Sequence, residues 1–172
     1  MRKMFVLLTL PLVVLDQWVK GWVYHHFMIG VGCCWVKPPP QKFLPGIGLT
    51  YTENTGAAFS IFGNARWILA GISLAAVVAM LVFILIKKRA LPLIFAFTLI
   101  ISGAAGNLID RLLTGYVVDM FEFTFMRFAI FNVADIYITV GGVFLFLYLV
   151  FTQWRGKPAA GSEPHASLET DG

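Results

Sequence analysis

Apolar residues in this chain come in four long runs, separated by stretches where glycine, proline and charge return. The runs extend from about Met4 to Tyr24, Trp67 to Ile86, about Leu91 to Ile109 and about Val133 to Phe151. The second run carries no charge, and its length of about 20 residues at ~1.5 Å each matches a hydrocarbon core of ~30 Å. Each run is expected to be a helix, because backbone groups in lipid have no water to bond and must satisfy one another. A membrane barrel would alternate apolar and polar positions; Leu74 to Ile86 is apolar without a break. Two long connections alternate with one short turn. The first, about His25 to Ala65, contains Pro38-Pro39-Pro40, which favours a stiff extended chain, and then the β-prone Gly48-Leu49-Thr50-Tyr51-Thr52. The second, about Leu112 to Phe131, turns at Gly115-Tyr116 into another strand-like piece, Val117-Val118, and is rich in phenylalanine. The pattern predicts an all-α membrane protein of four transmembrane helices with a small extracytoplasmic β-element and loop.

Composition turns this pattern into a class. Hydrophobic residues make up 59% and charged residues 13% of the 172 positions, with a mean hydropathy of +0.81. Ordinary soluble domains hold roughly 45–50% apolar and roughly 25% charged residues, so that class is excluded. The length suits one domain, placed at residues 1–155. The stretch 156–172, rich in Ala, Gly, Ser, Pro and acids, is expected to be a disordered cytoplasmic tail.

Charge then orients the chain. The net charge of +4 could suggest nucleic acid, but the basic residues are scattered beside apolar runs, as membrane flanks are, and no nucleic-acid partner is expected. Arg2-Lys3, Lys87-Lys88-Arg89 and Arg155 with Lys157 fall on one side of a four-helix arrangement. The concentration of positive charge marks that side as cytoplasmic, with both termini there. The opposite side has Lys37, Lys42, Arg66 and Arg127, diluted over longer loops. The first run resembles a secretory signal, but no small-x-small site follows it, and Asp16, Gln17 and Lys20 do. It is expected to remain as an uncleaved span. Cys33 and Cys34 are adjacent, a poor geometry for a disulfide and no zinc spacing. They suit small apolar loop positions, or reactive thiols if that loop is outside the cell. No metal and no organic cofactor are expected.

The remaining acids carry the candidate chemistry. A carboxylate at the bilayer centre costs a few kcal/mol or more. Asp119 and Asp135 flank one short loop between two apolar runs, so both can meet at one membrane face. Paired acids at one depth repel if both ionise, so one holds a proton near neutral pH. That is the state an acid–base pair for peptide hydrolysis needs. Asn132 and Asp135 also match a helix cap, with the acid at the third helical position, which alone would explain both; it leaves Asp119 unexplained. Asp16 and Lys20, four apart, can pair, with the lysine reaching toward the interface; Asp16 supports the site rather than acting in it. Asn54, in Glu53-Asn54-Thr55-Gly56-Ala57-Ala58-Phe59, fits either a loop re-entering the membrane or an element that docks a peptide backbone. Ser102 and Gly106 allow close helix packing. Asn107, Asp110 and Arg111 share a helix face, and an Asp110–Arg111 or Asn107–Arg111 network could buttress a site.

Other chemistries are poorly supplied. His25-His26 lacks the His-Glu-x-x-His pattern of zinc proteases. Ser73 lies mid-span without an intramembrane histidine to serve as its base. An ion channel or transporter would spread its acids through the bilayer, whereas Asp16, Asp110, Asp119 and Asp135 gather toward one face.

Five motifs occur in order: Asp16-Gln17-x-x-Lys20, Asn54-Thr55-Gly56-Ala57-Ala58-Phe59, Gly106-Asn107-Leu108-Ile109-Asp110-Arg111, Val117-Val118-Asp119, and Phe131-Asn132-Val133-Ala134-Asp135. With them the chain resembles the bacterial lipoprotein signal peptidases (signal peptidase II), over roughly Phe5 to Phe151. Ser102-Gly103 departs from a common glycine pair, and Met120 from the usual phenylalanine. The resemblance implies an aspartic endopeptidase of the cytoplasmic (inner) membrane, with its active site at the extracytoplasmic face. The implied substrate is a prolipoprotein, cut just before a cysteine already carrying diacylglycerol. Asp119 and Asp135 would be its dyad. Asn54, with Gly56 beside it, and Arg111 would contact substrate, while Asn107, Asp110, Asn132 and Asp16 would give polar support. The chain is expected to act as a monomer in the bilayer.

Overall fold

The computed structural model describes residues 2–28, 39–56, 66–86 and 89–155. Cys33-Cys34, Ala57-Ala58-Phe59, Lys87-Lys88 and the 156–172 tail lie outside the described residues, as do the side chains of residues 2–6 and 155.

Four long helices form where the apolar runs predict them: α1 (Arg2–Met28), α2 (Arg66–Ile86), α3 (Leu91–Leu113) and α4 (Val133–Arg155). Most of them outlast their runs by a few residues, because polar residues at the ends continue the helical hydrogen bonds until a cap stops them. At the end of α3, the Thr114 and Gly115 N–H groups both donate to Asp110 O, at 2.8 and 3.2 Å. Gly115 takes φ = +95°, the left-handed turn that glycine enters most cheaply. Helices α2, α3 and α4 are long and apolar enough to cross a membrane.

Helix α3 is central and packs against α1, α2 and α4. Its buried face is built from small residues. Ser102 and Thr98 satisfy their hydroxyls within the helix, on Thr98 O at 2.7 Å and Ile94 O at 2.8 Å. At Gly103 the backbone of α4 comes so close that an added Cβ would run into Ala134 O and Ile138. At Gly106 the same atom would meet the Asp16 carboxylate of α1. The small-residue stripe thus brings both neighbours' polar groups against α3. Gly103→Ala is expected to destabilise the fold by about 1–3 kcal/mol, because the obstacle is backbone that cannot rotate away. A thermal melt in detergent reads this as a lowered midpoint.

The strands come from both long connections. β1 (Gln41–Leu44), β2 (Ile47–Asn54) and β3 (Val117–Phe123) form one antiparallel sheet in the order β1-β2-β3. Pro45 and Gly46, with φ = +82° at Gly46, close the β1–β2 turn. β2 and β3 share a ladder, so both connections lie on the same side of the helices, as expected. Between Leu49↔Phe121 and Thr52↔Asp119 the register slips by one residue of β2, a bulge directly beside Asp119. Successive side chains of β3 point to opposite faces. Val118 and Met120 join Val23, Phe27, Leu49 and Tyr51 in a core that locks the end of α1 under the sheet. That leaves Val117 and Asp119 facing the other way, where both line a cavity.

Candidate active site

Four elements converge on that cavity, of about 500 Å³. Asp119 comes from the middle of β3. Asp135 comes from the first turn of α4, Asn107 and Arg111 from α3, and Asn54 from the end of β2. The backbone between Asp119 and Asp135 is drawn in by a bridge: Phe121 N–H donates to Phe131 O at 2.8 Å, and Phe131 N–H donates back to Phe121 O at 3.0 Å. This delivers Asn132, the next residue, to the side of β3.

Asn132 is fully buried and links the two carboxylates. Its Nδ2 donates to Asp119 Oδ1 at 2.7 Å. Its Oδ1 accepts the Asp135 N–H at 3.0 Å, while its own N–H donates to Asp135 Oδ2 at 3.2 Å. The last two bonds are the capping box the sequence predicts. The cap and the carboxylate pairing are therefore one structure rather than alternatives. The other Asp119 oxygen accepts Asn54 Nδ2 at 2.9 Å. Asn54 is in turn oriented by the Gly56 N–H on its Oδ1, at 3.0 Å, so it grips a carboxylate rather than standing free. Asp135 Oδ1 accepts Asn107 Nδ2 at 2.9 Å.

Burial pushes the Asp119 carboxyl up, to about 6 from 3.8. Hydrogen bonds from Asn54 and Asn132 oppose the rise, and the Asp135 charge adds to it. A carboxyl near neutrality can both hold and release a proton at working pH.

Two sequence expectations need correction. Of the two networks the sequence offers, the Asn107–Arg111 one forms and the Asp110–Arg111 one does not. Asp110 faces α1, where its carboxylate takes Lys20 Nζ at 2.8 Å and Gln17 Nε2 at 2.7 Å. Arg111 instead binds backbone, with Nη2 on Gly56 O at 3.1 Å and Nη1 on Asn107 O at 3.3 Å, tying the Asn54 loop to α3. Lys20 does not reach toward the interface either. It pairs with Asp16 at 2.8 Å, as its four-residue spacing predicts, but stays 3% exposed. Its two carboxylate partners both lie inside the bundle. Asp16 extends the network, accepting the Ala134 N–H on Oδ1 at 2.9 Å. Sequence reasoning leaves Gln17 and Lys20 out of the site; their spacing from Asp16 signals a shared face but not what that face meets.

The opposite wall of the cavity is apolar, formed by Phe123, Phe128, Phe131, Ile136 and Val140. The rings of Phe123 and Phe131 pack at a tilt, with centroids 5.2 Å apart. Among the described residues no group of three or more His, Cys, Asp or Glu could hold a metal.

The family profile described as signal peptidase (SPase) II matches residues 8–151. The lipoprotein signal peptidase of Streptococcus pyogenes serotype M2 (strain MGAS10270) is 44% identical over 151 residues, covering 86% of this chain and 93% of that protein. This chain belongs to the signal peptidase II family. A second relative, the lipoprotein signal peptidase of Streptococcus thermophilus (strain CNRZ 1066), is 43% identical over 153 residues, 87% of this chain and 94% of its own. The signal peptidase II fold also recurs in a bacterial membrane enzyme solved by the in meso method at 2.3 Å resolution. The TM-score is 0.78 at 26% identity, over 93% of this chain and 95% of that one. A second bacterial membrane enzyme, solved by the same method at 1.9 Å, gives a TM-score of 0.69 at 27% identity, over 86% of this chain and 93% of that one. Family membership makes the chain an aspartic peptidase.

Proposed function

We propose that Asp119 and Asp135 are the catalytic dyad of this peptidase. The signal peptidase II family removes signal peptides from prolipoproteins, and this chain does the same. One observation carries the dyad reading: both carboxylates are held by the single buried Asn132, and both line the same cavity. One carboxylate takes a proton from a water while the other, protonated, donates to the scissile carbonyl oxygen or to the leaving amine. Asn54, Asn107 and Asn132 orient the two acids with N–H donors. Arg111 ties Gly56, and with it the Asn54 end of β2, to α3, beside the cavity where a substrate backbone would lie.

The finer setting is our reading as well. Helix α1, at 27 residues, is long enough to be the fourth span, and the buried pairing of Lys20 with Asp16 and Asp110 offsets part of the charge that would oppose this. With an even number of spans both termini are cytoplasmic. The basic flanks put the sheet and dyad at the extracytoplasmic face of the bacterial cytoplasmic membrane. Residues 1–155 act as one peptidase unit and as a monomer. The apolar wall of the cavity suits a substrate that arrives laterally, anchored by its diacylglyceryl cysteine and apolar signal peptide.

The test is cleavage of a diacylglyceryl-modified precursor in detergent, with the unlipidated precursor as control and the cut located by mass spectrometry. Cleavage immediately before the lipidated cysteine, with the control cut at least about tenfold more slowly, is expected. Equal cutting of both would remove the lipid requirement.

A further inference from the structure

Lys20 lies 3% exposed inside the bundle, with three polar partners around its ammonium. Two are the carboxylates of Asp16 and Asp110, each at 2.8 Å. A buried lysine needs a carboxylate partner for stability alone, and one would neutralise it. The third partner is different: Asn107 Oδ1, at 2.9 Å, is neutral and belongs to the site. An amide has two ends of similar size and opposite polarity. With Lys20 and Asn132 Nδ2 both donating to Oδ1, the amide of Asn107 has one orientation, and its Nδ2 must face Asp135 Oδ1. Turned over, it would aim an oxygen at a carboxylate and an NH2 group at two donors.

We propose that Lys20 is a positioning residue for the reaction, fixing the amide of Asn107 so that Asp135 is held for catalysis, and placing one positive charge behind the dyad. This rests on the Asp119–Asp135 reading above. Gln17 completes the mount from below: its Nε2 bonds Asp110 Oδ1 at 2.7 Å and Gly106 O at 3.2 Å. Asp16 carries the same element across to α4 through the Ala134 N–H. Helix α1, which contributes no residue to the cavity wall among the described residues, therefore sets the aim of an acid on α4 through one amide on α3.

The charge has a second consequence. The charged groups acting on Asp119 are Asp135 from α4, Lys20 from α1 and Arg111 from α3. Of these, Lys20 lowers the pKa of Asp119 and Asp135 raises it. Without Lys20 the Asp119 carboxyl rises further, whichever limb of the profile it controls.

Two variants test this. Lys20→Met keeps the length and removes the charge. Lys20→Met with Asp110→Asn removes one charge of each sign, leaving the buried net charge unchanged and the fold less burdened. Each is expected to lower kcat for the lipidated precursor about ten- to hundredfold, with KM within about twofold. In Lys20→Met the kcat/KM limb near pH 6 should also move upward. If Lys20→Met fails to fold, the double variant decides by its kcat-against-KM split, with its melting midpoint confirming the fold. A folded variant of either kind with wild-type kcat overturns the proposal, as does an unmoved limb in a folded Lys20→Met. Asp119→Asn and Asp135→Asn, run alongside, separate the two readings. If they are inactive while the Lys20 variants are normal, only the positioning role fails; if they turn over normally, the dyad itself is wrong.

Discussion

Asp119→Asn and Asp135→Asn are each expected to lower kcat on a lipidated precursor by about a thousandfold or more. An amide neither takes a proton from water nor gives one up at working pH, so the pair loses its chemistry while most of its geometry stays. The substitutions are close in shape, and the surrounding donors limit the structural damage. In Asp135→Asn the amide oxygen can still accept the Asn132 N–H and keep the α4 cap. In Asp119→Asn the one remaining acceptor serves Asn54 or Asn132 but not both, losing one bond worth about 1 kcal/mol. The two acids act as a unit, so the double variant should be hardly worse than the worse single one. The readout is single-turnover cleavage in detergent, with size-exclusion elution showing that each variant remains folded. Normal turnover by either single variant removes the dyad from the mechanism.

A second large effect concerns stability and its dependence on pH. The folded-state value of Asp119, about 6, lies above its ordinary 3.8. Folding therefore favours the protonated acid. Its stabilising share is fully present below about pH 4 and is lost as pH rises through 6. The interval from 3.8 to about 6 corresponds to about 3 kcal/mol. Asp119 is 3% exposed, so solvent screening does little to reduce this. Wild type should thus gain up to about 3 kcal/mol between pH 7 and pH 4 relative to Asp119→Asn, which has nothing to titrate there. Comparing melting midpoints of the two proteins at both pH values cancels the other carboxylates. Parallel behaviour of the two would mean that Asp119 is not held as a desolvated acid. A stability deficit at neutral pH is what burying an acid with a raised pKa entails.

Much of the fold was legible because lipid restricts the alternatives. Helix α2 follows its uncharged run to within one residue at its start, since a chain without water partners can only coil on itself. The strands were also visible, as β-branched and aromatic residues between glycines at Gly48–Thr52 and Val117–Val118. Their pairing was not, because ladder partners more than 60 positions apart leave no local trace; Thr52 opposite Asp119 is such a pair. The bulge beside Asp119 likewise depends on both strands at once. The failures at Asp110 and Lys20 share one cause. Helical spacing says which residues share a face but not what that face meets, so it favours Arg111, the adjacent cation in sequence, over Lys20, the nearer one in space.

By itself the sequence determined the membrane class and the helices, and it singled out Asp119 and Asp135 as candidates, because the penalty for burying charge in lipid makes each remaining carboxylate informative. The tertiary structure alone decided how those acids are held. Asn132 joins them, and Lys20 reaches Asp135 through the amide of Asn107, from a third helix, α1. Hydrogen bonds act over about 3 Å, and only the packing of α1 and α4 against the small-residue face of α3 brings distant residues within that reach.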